Sequence, residues 1–158
     1  CMPGGKVAVY SGILPVTRDD AGLATVLGHE IGHAIAHHSA ERISQQYVAQ
    51  GLGAAIGVAA NNSNSPTVGI VNQLYGVGGQ LVLLKYSRNQ ESEADRLGLI
   101  FMSMAGYDPN NAVSFWQRMA ATSKGGGTPE FLSTHPTDAT RIAAIQRQLP
   151  EAMKYYKK

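Results

Sequence analysis

His29-Glu30-Ile31-Gly32-His33 is the stretch from which the rest of this chain is read. It lies in a segment whose apolar residues Leu23, Val26, Leu27, Ile31 and Ile35 recur at helical spacing. Asp19-Asp20 precedes that segment, and acids suit the first turn of a helix. On a helix, positions i and i+4 share a face, so His29 and His33 point at one place in space. Two imidazoles so placed bind Zn2+ at about 2.0–2.1 Å each. Glu30 stands one residue round, within reach of a metal-held water without ligating the metal. The pattern therefore fits a zinc-activated water with a general base beside it.

A catalytic zinc takes a third protein ligand and keeps one position open. Cys1 is the single cysteine, which excludes an intrachain disulfide and the multi-thiolate zinc sites, so the ligands must be His and carboxylates. One known arrangement places a third His six residues past the second, after a Gly turn. Here that position is Ser39 and the Gly is absent. His37 lies four residues past His33, but the rise from His29 to His37 is about 12 Å, too long for three ligands to meet on one ion. His37 and His38 read instead as structural or surface residues that continue the helix. Glu91-Ser92-Glu93-Ala94-Asp95 supplies a carboxylate on a second predicted helix, Ser87 to Ala105. Glu91 and Asp95 are i and i+4 and share a face, whereas Glu93 points elsewhere and reads as a solvated acid. The spacing favours Glu91 as the ligand, with Asp95 accepting a hydrogen bond from the outer nitrogen of a ligating His.

At 158 residues the chain is expected to form one domain, 1–158. Lys+Arg is 13 and Asp+Glu is 11; a net charge of +2 gives no reason to expect a nucleic-acid partner. Charged residues are only 15% and apolar ones 44%, which excludes a disordered chain. Lys6–Leu14 alternates around Val7, Val9 and Ile13 and reads as a strand or short hairpin. Pro66 to Leu84 reads as helical. Asp108-Pro109 opens a helix running to about Ser123, Gly125-Gly126-Gly127 is a loop, and Thr137 or Asp138 starts a last helix. The expected class is mostly helical α+β, with a small edge-strand sheet. Gly51–Leu84 carries no charge, and its apolar runs fall short of the roughly 20 residues that span a bilayer. A self-packed helical pair is the plain reading of that stretch. A surface for a membrane or for a second copy is the sharper one. No signal peptide is visible at Cys1-Met2-Pro3-Gly4-Gly5.

His29–His33 followed by Glu91-x-x-Ala94-Asp95 resembles the gluzincin family that contains HtpX, the CAAX prenyl protease and the Oma-type quality-control peptidases. Further segments share the likeness: Pro3-Gly4-Gly5 with its apolar continuation, His38-Ser39, Asp95-Arg96-Leu97-Gly98, Ala105-Gly106-Tyr107-Asp108-Pro109, and Ser133-Thr134-His135-Pro136 with Arg141-Ile142. The resemblance covers nearly the whole chain and is closest to the soluble or peripheral Oma-like branch. It implies a zincin-like domain, one Zn2+ on His29, His33 and Glu91, Glu30 as general base, and polypeptide substrates. It also implies an N-terminal segment ahead of Cys1 and a setting in protein quality control. The location it suggests is a bacterial cell envelope, facing the periplasm. His135 reads as a loop or cap residue before the last helix, or, as the resemblance equally implies, as a residue that lines the site and stabilises the oxyanion or plugs the zinc at rest. In the last case the chain is a latent peptidase, or a zinc-binding chaperone or assembly factor with its site blocked. Arg141 either pairs near the site or faces solvent. Tyr75 and Tyr86 are further candidates for stabilising a reaction intermediate. Phe115, Trp116 and Met119 read as core.

Overall fold

The computed structural model describes residues 7–61, 87–124 and 139–157. They form two compact units, Cys1–Ala36 with Glu91–Lys158, and His37–Gln90. The described elements are helical: a 3-10 turn at Ser11–Ile13, then α1 (Leu14–Thr17), α2 (Asp20–Ile35), α3 (His38–Asn61), α4 (87–104), α5 (Asn110–Lys124) and α6 (Ala139–Ala152). No strand occurs among the described residues, so the edge-strand sheet expected around Lys6–Leu14 is corrected there. Pro15 falls in the first turn of α1, where its fixed φ favours a helix. Ile13 and Val16 turn into the core, while Val7 and Val9 stay exposed, so the alternation has no face to bury.

The first unit is built on α2. Asp19 caps it, its carboxylate accepting from the Gly22 N–H at 2.7 Å. The helix ends at Ile35, and His37 takes a left-handed φ of 57° before α3 begins. The expected run of one helix through His37 and His38 is therefore broken into two. The buried face of α2 consists of Gly22, Thr25, Val26, Gly28, His29 and Gly32, while Ile31 and Ile35 are exposed. The reason lies in α4. A Cβ on Gly28 would come within 2.7 Å of the Gly98 carbonyl oxygen, and one on Gly98 within 2.7 Å of the His29 backbone nitrogen. A Cβ on Gly32 would meet the Ala94 carbonyl oxygen at 2.8 Å. The two helices thus pack backbone to backbone, which no bulkier residue at these positions permits.

Around this pair the core is Leu99 and Met102 of α4, Phe115, Trp116 and Met119 of α5, and Ile145 of α6. α5 packs on α2, on α6 and on α1. Arg118 ties α5 to the end of α1, donating to the carbonyls of Val16 at 2.9 Å and Thr17 at 3.1 Å. α4 closes with Gly106 at φ 87° and with the Tyr107 N–H donating to the Met102 carbonyl at 2.9 Å.

In the second unit, α3 exposes Ile43, Tyr47 and Val48. Gln90 donates to Glu41 at 2.9 Å. Of the uncharged stretch Gly51–Leu84, residues up to Asn61 belong to α3, and the remainder lies outside the described residues. Among the described residues no helix is long and apolar enough to cross a membrane.

Candidate metal centre

The backbone contact of α2 with α4 sets the site. Gly28 and Gly32 each stand one residue before His29 and His33, so the face that lets the helices touch turns directly into the face that carries the imidazoles. On α4, Ala94 and Gly98 make the contact, and Glu91 and Asp95 border it one turn apart. Four side chains bearing His or carboxylate groups consequently converge.

His29 Nε2 lies 3.1 Å from His33 Nε2 and 3.5 Å from Glu91 Oε2, and His33 Nε2 lies 3.2 Å from Glu91 Oε1. The imidazole rings meet edge to face, 4.6 Å between centroids. His29, His33 and Glu91 are the set of His and carboxylate groups that could hold a metal among the described residues. Four-coordinate zinc with bonds of about 2.0–2.1 Å has ligand atoms about 3.3 Å apart, and the three observed separations bracket that edge. The donor set of two imidazoles and one carboxylate fits a catalytic zinc, which takes three protein ligands of these kinds. Glu91 is buried and Glu93 is exposed, as their different faces require. Glu30 follows His29 on α2 and is partly buried.

Behind His29 stands Asp95, with Oδ1 2.9 Å from His29 Nδ1. A carboxylate at that distance accepts a hydrogen bond from Nδ1–H and so keeps the ring proton there, which leaves the Nε2 lone pair facing His33 and Glu91. Burial by itself raises the Asp95 pKa, but the His29 hydrogen bond and the Arg141 charge outweigh it and hold the carboxyl below its ordinary value. Arg141, on α6, reaches the same place. Its Nε and Nη2 donate to the two oxygens of Asp95 at 2.9 and 2.8 Å, and its Nη1 lies 3.1 Å from Glu91 Oε2. Trp116 closes the pocket, its ring 5.9 Å from that of His29 and 3.7 Å below the Arg141 guanidinium carbon.

His37 is exposed on the turn after α2, outside the cluster. His135, Tyr75 and Tyr86 lie outside the described residues. Sequence reasoning left Arg141 open between a pairing and a solvent role and assigned Trp116 to the core alone. Trp116 is core, and it is also a wall of the site. Its helical neighbours gave no hint of that, because one aromatic on an apolar face looks the same in both settings.

Comparison with known proteins places these features. The profile of Peptidase family M48 matches residues 1–149. The mitochondrial metalloendopeptidase OMA1 of Schizosaccharomyces pombe is 41% identical over 160 residues, covering 96% of this chain and 43% of that protein. The OMA1 protein of Saccharomyces cerevisiae is 36% identical, covering 98% and 44%. The beta-barrel assembly-enhancing protease of Yersinia pestis is 31% identical, covering 89% and 30%. The chain thus spans less than half the length of these relatives. No solved structure matches it. The expected bacterial, periplasm-facing location is overturned by the yeast relatives, which are mitochondrial and more similar to this chain than the bacterial one.

Proposed function

The chain belongs to peptidase family M48, and from that premise we propose that it is the catalytic part of a zinc-dependent endopeptidase that cuts internal bonds of polypeptide substrates. The observation that carries this reading is the convergence of His29, His33 and Glu91 at tetrahedral spacing, with Glu30 next to the first of them. His29, His33 and Glu91 would hold one Zn2+. When bound, zinc supplies a Lewis acid that polarises the scissile carbonyl and brings the pKa of water in its coordination sphere toward ~7. Glu30 accepts the proton of the attacking water and passes it to the leaving amine. Asp95 keeps the proton of His29 on Nδ1, so that Nε2 stays available as a donor atom. The aliphatic and aromatic packing of Trp116 excludes water from the back of the site.

Its relatives support the mitochondrion as the location, and the likeness to the Oma-type branch supports protein quality control as the setting. The test of the chemistry is Glu30→Gln. The variant is expected to retain one zinc per chain and to lose cleavage of a labelled unfolded protein. Cleavage at the parent rate by Glu30→Gln refutes the assignment of the base, and absence of zinc from the parent refutes the site.

A further inference from the structure

We propose that Arg141 is a positioning residue of the metal centre: it is the counter-ion that sets Glu91 and Asp95 in place, and so tunes the affinity of the three ligands for zinc. This rests on the zinc reading above and adds to it a residue from the far end of the chain.

The need for such a group follows from charge. Glu91 and Asp95 are one turn apart on one helix, and both are buried. Like charges at i and i+4 repel, and burial without a partner raises the cost of ionising each. Asp95 lies 2.9 Å from His29 Nδ1, and Glu91 stands 3.5 and 3.2 Å from the two imidazoles, so each carboxylate has to be held in its place. Arg141 answers both demands at once. Its Nε and Nη2 grip the two oxygens of Asp95 as a fork, and Nη1 turns to Glu91 Oε2. The flat face of the guanidinium rests on the Trp116 ring, 3.7 Å from its centroid. The Arg141 side chain is 8% exposed and Trp116 is 1% exposed, so the arrangement is a built one rather than a surface pair.

The geometry is specific to arginine. A lysine offers one compact ammonium, which cannot hold two carboxylates in a fixed plane and lie flat on an indole as well. Because Arg141 comes from α6, docking of that helix and binding of the metal are linked. Whatever Arg141 contributes to zinc affinity, zinc returns to the docking of α6.

The test uses the full chain, stripped of metal and titrated with zinc against a competing chelator. Trp116 is the chain's single tryptophan, so its fluorescence reports on the site directly. The parent is expected to bind one zinc per chain with a change in Trp116 emission. Arg141→Met should weaken zinc binding by about 10- to 100-fold, the range found when a group behind a metal ligand is removed. Arg141→Lys should recover part of that loss. Arg147→Met removes a charge from an exposed position of the same helix and should bind as the parent does. A parent that binds no zinc sinks the zinc reading itself. A parent that binds, together with Arg141→Met of equal affinity, overturns the positioning role alone. So does a variant that melts at lower temperature but keeps parental affinity, since that marks a merely structural residue. If Arg141→Met does not fold without metal, Arg141→Lys decides: parental affinity in that variant overturns the proposal.

Discussion

Gly98→Ala tests whether the backbone contact between α2 and α4 is what spaces the ligands. The added Cβ would sit 2.7 Å from the His29 nitrogen, where ordinary contact begins at 3.4 Å. Both atoms belong to helix backbones, so neither can swing aside. The helices must part by about 0.7 Å, or bend by as much, to accept one methyl group. His29 is the residue pushed, and it moves away from the helix that carries Glu91 and Asp95. Its separation from Glu91, 3.5 Å and already at the upper end of the range around the tetrahedral edge, would then lengthen further, and metal bonds tolerate only about 0.2 Å of misplacement. The expected loss is at least about tenfold in zinc affinity, comparable with removing a group behind a ligand. Overpacking should also cost about 1–3 kcal/mol of stability. For a chain of this size that is a fall of roughly 2–12 °C in Tm. Chelator competition measures the first effect and thermal unfolding of the metal-free protein the second. Gly12→Ala is the control, because a Cβ there meets nothing within 4 Å. A Gly98→Ala protein with parental zinc affinity and parental Tm refutes the argument that close approach sets the site.

Asp95→Asn should weaken zinc binding by about 10- to 100-fold, read by the same competition, because the amide does not anchor the His29 proton as the carboxylate does. Asp19→Ala removes the cap of α2 and should cost about 0.5–2 kcal/mol in thermal or denaturant unfolding, with zinc stoichiometry unchanged. Trp116→Ala should be far more severe, about 3–5 kcal/mol, since it empties a fully buried site beside both His29 and Arg141. The exposed Glu151 carboxyl is held below its ordinary pKa by the Arg96 hydrogen bond. Its contribution to stability is therefore present above the unfolded-state value of about 4.3 and fades as pH falls through the lower folded value. The Tm of Glu151→Gln should differ slightly from the parent at neutral pH and converge with it in acid; a gap that widens in acid would show the sign to be wrong.

The convergence of His29 and His33 on one face of α2 is legible in sequence because the geometry of one helix turn is universal. The choice of Glu91 over Glu93 follows from the same rule, applied to faces. Arg141 is not legible in that way, since nothing local says where the guanidinium of a residue 112 positions from His29 will point. The apolar spacing of α2 misleads. Leu23, Leu27, Ile31 and Ile35 suggest the packing face, yet the buried face is made of glycines, Thr25, Val26 and His29. Hydrophobicity registers side-chain area, and a contact made by backbones has almost none. The spacing Gly28-x-x-x-Gly32 is the signal that could have revealed it. At Lys6–Leu14 the alternation outweighed Pro15, whose preference for a first helical turn is the stronger local constraint.

The order of the site residues along the chain carries one more consequence. His29, Glu30 and His33 leave the ribosome first, Glu91 and Asp95 follow much later, and Arg141 later still. Synthesis runs at about 5–20 residues per second, so seconds pass in which the nascent chain bears Glu30 and the two imidazoles but not yet Glu91. During that interval a peptidase site of this composition is incomplete. On the proposed reading the site is assembled only after Arg141 and α6 have been made, so the α2 residues emerge among unfolded neighbours without the rest of their set.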